Sequence, residues 1–327
     1  MGAKHRHRLH PGKMKSNFLR WRERVAVDER VRAAQISVFS NISLVVLKLF
    51  TGIFTGSISI ISEAIHSGLD LMASVFAYFS LKEASKPADY EHRYGHGKIE
   101  NIAGTLEALL VFAAALIIIV EALKKLKSGI EVIQPVAGIA VMGLSAGVNY
   151  QISRYLFKVA KATQSVALEA DAWHLLTDVY TSAGVMLGLG ILKVTGFSFI
   201  DPLVALLVAV LILRASYRLM REAFLPLMDV CLPAEEERLV KEIIATHAGE
   251  YVEFHKLRTR KSGRERQIDL HLVVPARQPV AEAHELCDRI TSKIKAALPY
   301  THVLIHIEPC QEDKDCDRCP GCQEDEK

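Results

Sequence analysis

The sequence predicts a six-helix, all-α transmembrane domain followed by a small cytoplasmic α+β domain with the element order αββαβ. Half of the 327 residues are hydrophobic and the mean hydropathy is +0.19, which favours membrane residence. Yet 24% of the residues are charged, too many for a chain lying wholly in lipid. The apolar residues also concentrate before Pro233, whereas alternating strands and amphipathic helices are predicted after it.

The predicted membrane domain, residues 33–222, consists of six apolar runs that follow a basic N-terminal segment, residues 1–32. A helix needs ~20 mostly apolar residues to cross a bilayer. Buried helices of a large soluble protein are the alternative, but six such runs with short links leave too little polar surface for one. The runs are Ala33–Thr55, Ser57–Leu81, Asn101–Leu123, Val132–Tyr150, Val166–Leu192 and Pro202–Leu213.

The distribution of Lys and Arg predicts the orientation. These residues concentrate before the first run, in the second-to-third and fourth-to-fifth links, and after the sixth run. The positive-inside rule makes that side cytoplasmic, so we expect a multi-pass protein of the inner membrane with both termini in the cytoplasm. The basic start lacks the apolar core of a secretory signal. The net charge of +3 is too small to indicate nucleic-acid binding.

The cytoplasmic domain is predicted at residues 233–309. The alternation and turn signals give two helices and three strands. An acidic, Cys-rich tail, residues 310–327, follows and has no core-forming residues. The predicted elements are helix Ala234–His247, strands Tyr251–Lys261 and Gln267–Val274, helix Ala281–Leu298 and strand His302–Glu308.

Two pairs of ionisable residues lie inside the predicted spans: His66 with Asp70, and His174 with Asp178. Residues four apart share a helix face, so each pair can offer two ligands to one point. Two imidazoles and two carboxylates suit a tetrahedral Zn²⁺ site. A purely structural His–Asp hydrogen bond in each helix is the alternative. It is disfavoured because each ionisable group at mid-bilayer costs about 2.5–3.5 kcal/mol.

Together with the segment Asp89-Tyr-Glu-His92-Arg-Tyr-Gly-His96-Gly-Lys98, these features resemble the cation diffusion facilitator family, in its bacterial zinc and divalent-cation efflux type. The resemblance implies a homodimeric secondary transporter, not an enzyme, that exchanges divalent transition-metal ions for protons. Zn²⁺ is the expected transported and regulatory ion, with Cd²⁺, Co²⁺ and Fe²⁺ as other candidates, and no organic cofactor is expected. The cytoplasmic domain is expected to be metallochaperone-like.

The resemblance also implies the site residues. Many bacterial members have Asp where His66 stands, and the two-His version resembles zinc-selective members. Period-2 alternation independently puts His271, His306 and Glu308 on the sheet face away from the apolar row. The implied positions are His66, Asp70, His174 and Asp178 for transport; Asp89, His92 and His96 for a loop site; His255, His271, His306 and Glu308, with His284 nearby, for a cytoplasmic site; and Lys98 with Asp229 for a salt bridge that locks the dimer.

The tail is not a general feature of the family. Its residues Cys316, Cys319 and Cys322, together with Cys310, are spaced to hold one Zn²⁺ or Cd²⁺ through thiolates. An Fe–S cluster and reduced thiols without metal are the alternatives, although the usual four-cysteine run of a cluster is missing.

Two other functions are alternatives to transport. An intramembrane metalloprotease needs HExxH in a span, whereas His284-Glu285 lies outside the spans and is followed by Asp288 where the second His should be. A metal-sensing membrane scaffold without transport is the second alternative. Metal flux into sealed vesicles separates that scaffold from a transporter.

Overall fold

A computed structural model describes residues 11–55, 58–128, 136–195 and 200–310. The chain divides into two compact units, Met1–Ala223 and Phe224–Lys327, which are described separately. The first unit corresponds to the predicted membrane domain and the second to the predicted cytoplasmic domain and tail.

In its described residues the first unit consists of six long helices, which confirms the predicted six-helix domain. The first helix begins at Pro11, so part of the basic N-terminal segment continues directly into it. Four described segments are long and apolar enough to cross a membrane: Glu29–Phe54, Ala64–Ala84, Gly97–Lys124 and Pro202–Met228. The helices are α1 (Pro11–Thr55), α2 (Ile58–Ala84), α3 (Gly97–Ser128), α4 (Val136–Thr163), α5 (Val166–Thr195) and α6 (Ile200–Phe224).

Small residues let these helices approach closely. A Cβ atom on Gly104 of α3 would lie 3.2 Å from Cγ1 of Val166 on α5, so a glycine is suited to this crossing. Large apolar side chains such as Phe39 and Phe54 are instead exposed, as expected for a lipid-facing surface. Alanines therefore fill much of the buried core between helices, including Ala33, Ala34, Ala103, Ala160, Ala167 and Ala172.

The second unit is the predicted αββαβ domain, preceded by a short 3₁₀ turn at Leu225–Met228. Strand β2 pairs with β1 antiparallel and with β3 parallel, in the order β1-β2-β3. The parallel pair requires a crossover, which α8 provides. Helices α7 and α8 enclose a core with Ile268, Leu270 and Leu272. The elements are α7 (Ala234–Ala245), β1 (Glu253–Ser262), β2 (Glu265–Val274), α8 (Val280–Ala297) and β3 (Thr301–Pro309).

Strand β1 contains a β-bulge that sets the position of a predicted ligand. His255 pairs with His271, but Arg258 pairs with Asp269, so β1 has one extra residue between the two pairs. Within the bulge, Lys256 has a φ of 52°, a backbone conformation that residues other than glycine rarely adopt. The bulge brings His255 and Arg258, three residues apart, opposite residues on one face of β2.

Candidate metal sites

The first cluster joins α2 and α5 inside the membrane domain. Ligand atoms of His66, Asp70 and Asp178 all lie within 4.8 Å of one another. Nε2 of His174 lies 3.0 Å from Oδ1 of Asp70. His66 is exposed, Asp70 buried and Asp178 half-buried. The structure thus brings together the two His–Asp pairs that the sequence suggested for a single site.

Polar neighbours from α1 and α4 extend this cluster. The Asn149 amide lies 3.5 Å from Oδ2 of Asp178, and its own Oδ1 is buried without a hydrogen-bond partner among the described residues. The buried Lys48 ammonium donates to Ser67 Oγ at 2.7 Å. Ser67 directly follows His66, so α1 contributes a cation next to the ligand-bearing turn of α2.

The second cluster lies in the loop between α2 and α3. Oδ1 of Asp89 accepts the backbone N–H groups of Glu91 and His92 at 3.0 and 2.6 Å. Oδ2 lies 3.3 Å from Nε2 of His96, whose Nδ1 is buried without a partner in the part of the chain described. The hydrogen bond from His92 is the main cause that lowers the pKa of Asp89. Asp89 is therefore a ready anionic ligand beside two imidazoles.

The third cluster is a row of histidines across the sheet. His255, His271 and His306 occupy paired positions on β1, β2 and β3. Glu308 bridges them: its Oε1 lies 2.6 Å from His271 Nδ1, and its Oε2 lies 3.1 Å from His255 Nε2. His306 Nε2 is 3.8 Å from Oε1 of Glu308. The predicted placement of His271, His306 and Glu308 on one face is thus confirmed.

Glu308 is electrostatically suited to bind a cation. The hydrogen bond from the His271 ring is the main cause that lowers the pKa of the Glu308 carboxyl below its usual 4.5. Ligand atoms of His255, His271 and Glu308 all lie within 4.8 Å of one another. These residues are only half-buried, so the group is open to solvent on this face of the sheet.

Other predicted site residues are not brought into these clusters. His284, on α8, is exposed and pairs with Asp288 at 3.7 Å. Asp229 forms an ion pair with Arg260 at 3.2 Å, and its pairing with Lys98 of the first unit stays a prediction. The predicted tail ligands Cys316, Cys319 and Cys322 lie outside the described residues.

Several buried polar residues of the membrane domain have no role that the sequence predicts. Arg30 and Glu100 form an ion pair at 2.6 Å with both side chains 1% exposed. Glu107 and Asp171 are also 1% exposed. The charges of Glu107 and Asp171 interrupt otherwise apolar runs, whereas Arg30 and Glu100 lie just outside the runs. The partners of these residues on other helices could not be derived from the sequence.

The two parts of the chain match two descriptions of one family. Residues 34–228 match the cation efflux transmembrane domain, and residues 232–310 match the cytoplasmic domain of the cation efflux protein. These matches cover both units of the fold and all three clusters.

Related proteins are similar over most of the chain. An uncharacterized transporter of Synechocystis is 34% identical over 281 residues, which cover 86% of this chain and 91% of that protein. The cation-efflux pump FieF of Yersinia pestis is 32% identical over 281 residues, which cover 86% of this chain and 93% of that protein. A solved structure of CzrB in its Zn form is 39% identical over 25% of this chain and 92% of that chain, with a TM-score of 0.24.

Proposed function

Because the chain belongs to the cation efflux family, also called the cation diffusion facilitators, and is a membrane transporter, we propose that it exports Zn²⁺ from the cytoplasm in exchange for protons. The observation that carries this proposal is the meeting of the two His–Asp pairs of α2 and α5. Two imidazoles and two carboxylates favour Zn²⁺. Cd²⁺, Co²⁺ and Fe²⁺ are weaker candidates for the same ligands.

Proton exchange follows from the chemistry of these ligands. A metal ion binds neutral imidazole and ionised carboxylate, so protons compete with it at each ligand. The close contact between His174 and Asp70 supports this competition, because a proton shared there must leave before both atoms can bind a cation. Protons arriving from the acidic outside weaken the site there and release the metal.

The two other clusters complete the proposal. Asp89, His92 and His96 bind a metal ion at the loop, and the histidine row with Glu308 binds regulatory Zn²⁺ in the cytoplasm. The family's cytoplasmic dimerisation domain supports a homodimer, in which Lys98 and Asp229 form the lock and His284 supplements the row. The charge distribution supports an inner-membrane protein with both termini in the cytoplasm.

Metal flux into proteoliposomes tests this function. Purified protein is reconstituted, and uptake of Zn²⁺, Cd²⁺, Co²⁺ and Fe²⁺ is measured with and without an imposed pH gradient. We expect Zn²⁺ to be transported fastest, and a protonophore to slow its flux towards passive exchange. Flux that ignores both gradient and protonophore would contradict proton antiport.

The alternative of a metal-sensing scaffold gives a different result in the same assay. Such a protein binds Zn²⁺ but carries no ions across the vesicle membrane at any gradient. Binding without flux would therefore remove the transport proposal, whereas saturable flux removes the scaffold.

A further inference from the structure

Glu107 of α3 is a buried acid that the transport site does not use. Its side chain is 1% exposed, and neither Oε1 nor Oε2 has a hydrogen-bond partner in the described part of the chain. Asp171 of α5 is equally buried, but it lies beside the hydroxyl groups of Ser37 and Ser74. Among the described residues, Asp171 and His174, both on α5, act electrostatically on Glu107.

A line of polar contacts connects Asp171 to the proposed transport site. Asp171 lies three residues before His174, on the same face of α5. Its Oδ1 is 3.4 Å from Oγ of Ser74, and that hydroxyl is 3.1 Å from the backbone oxygen of Asp70. Asn41 donates to Ser74 Oγ at 2.6 Å, which fixes the hydroxyl between α2 and α5. Glu107 itself makes no hydrogen bond to a proposed metal ligand within the described ranges.

The burial of Glu107 is informative because its carboxyl oxygens accept no hydrogen bond from the described residues. Transfer of an unpaired carboxylate out of water costs many kcal/mol, and such a group becomes neutral instead. Two neighbouring carboxylates also disfavour each other's ionisation. A glutamine or an apolar residue of similar volume would fill the same space at lower cost. An acid held here without a donor therefore points to a group that carries a proton.

We propose that Glu107 is a further proton carrier of the transport cycle, protonated while the transport site is without metal and deprotonated when a divalent cation binds beside His174 and Asp70. On binding, the O–H bond of the Glu107 carboxyl breaks and a water molecule accepts the proton. The positive charge of the cation then stabilises the Glu107 anion, because charges interact strongly in these low-dielectric surroundings. This inference rests on the proposed function, to which it adds a proton site outside the ligand set.

Proton release on Zn²⁺ binding tests the proposal. The full-length protein in detergent is titrated with Zn²⁺ in buffers of different ionisation enthalpy, which yields the number of protons released per ion. We expect Glu107→Gln to release about one proton fewer per Zn²⁺ than the unmodified protein and to show a shallower dependence of log Kd on pH. The matched control is Glu121→Gln, an exposed position on the same helix, which should release the unmodified number.

The outcomes separate this inference from the proposed function. If the unmodified protein releases no protons with Zn²⁺, proton coupling itself fails. If it releases protons and Glu107→Gln releases the same number, only the role of Glu107 is overturned. If Glu107→Gln does not fold, infrared difference spectroscopy of the unmodified protein tests the proposal instead. Without metal, the unmodified protein should show a C=O band of a protonated carboxyl group that Zn²⁺ abolishes. In Glu107→Asp the same band should lie at a different frequency. A band that persists with Zn²⁺ and is unshifted in Glu107→Asp contradicts the proposal.

Discussion

Nε2 of His174 lies 3.0 Å from Oδ1 of Asp70, although 104 positions separate the two residues in the sequence. The contact ties α5 to α2 at the level of the proposed transport site. It also means that one proton can be shared between an imidazole and a carboxylate that are both proposed metal ligands. Changes to either helix should therefore affect metal and proton binding together.

Removing a carboxylate from the transport site should stop transport. We expect Asp70→Ala or Asp178→Ala to lower Zn²⁺ flux into proteoliposomes by at least about tenfold while the dimer stays intact, because each variant loses one of four ligands. Size-exclusion chromatography checks the dimer. Glu121→Ala, on the exposed surface of α3, is the control and should keep normal flux. Near-normal flux in either Asp variant would refute the assignment of these ligands.

Exchanging one imidazole for a carboxylate should broaden the metal preference. His66→Asp makes the ligand set harder and more anionic, which favours Fe²⁺, Mn²⁺ and Cd²⁺ relative to Zn²⁺. The ratio of fluxes in a metal panel measures the change. His302→Asp, at an exposed position on β3, should leave the ratio unaltered. An identical preference in His66→Asp would mean that selectivity is determined elsewhere.

The cytoplasmic domain should depend on a buried ion pair. Arg266 is 1% exposed and donates to both oxygens of Glu236, at 2.9 and 2.6 Å. Glu236→Gln leaves this guanidinium buried without its countercharge, so we expect the free energy of unfolding to fall by roughly 3 kcal/mol. Urea unfolding of the cytoplasmic domain at neutral pH measures it. Glu242→Gln breaks only an exposed pair with Arg238 and should cost less than about 1 kcal/mol.

The same pair predicts a pH dependence with a definite sign. The hydrogen bonds from Arg266 lower the pKa of Glu236 below its usual 4.5. A lowered pKa means that the stabilisation is complete above pH 4.5 and is lost as the pH falls through the folded-state value. The difference in unfolding free energy between the unmodified domain and Glu236→Gln should therefore shrink in acid. A difference that stays constant down to pH 2 would show that the carboxylate charge is not its source.

The Cys-rich tail should add metal capacity without supporting the fold. Replacement of Cys316, Cys319 and Cys322 by Ser is expected to lower the number of Zn²⁺ ions bound by the cytoplasmic domain and tail, with the circular dichroism spectrum unchanged. Cys231→Ser, outside the tail, is the matched thiol control. An equal metal count in the triple variant would leave the tail as reduced thiols without metal.

The sequence predicts the elements of this fold well but not their detailed geometry. The structure confirms the αββαβ order. This order was predictable because apolar and polar residues alternate regularly along β2 and β3. Along β1 the alternation breaks at the bulge, where Lys256 has a positive φ, and no residue type in the sequence marks that bulge. The pairing of His255 with His271 follows from the bulge and could be seen only in the structure.

The transport cluster was predictable for a simple reason: spacing of four residues places His66 with Asp70, and His174 with Asp178, on one face of each helix. The partners of isolated acids were not predictable, because helix–helix contacts depend on which faces meet. The neighbourhood of Glu107 and Asp171 is therefore known only from the structure. The position of His284 could not be predicted from the sequence for the same reason. It was expected near the histidine row, but in the described structure its side chain is exposed and pairs with Asp288.

The histidine row has a consequence for the dynamics of the edge strand. An ion bound to His255, His271 and Glu308 cross-links the three strands, so β3 cannot open locally until that ion has dissociated. Glu308 also lies two residues before Cys310, where the Cys-rich tail begins. At a Zn²⁺ concentration 100 times its Kd, opening of β3 should become about 100-fold rarer. The hydrogen-exchange rates of the β3 amides should therefore report what fraction of the histidine row is occupied by Zn²⁺.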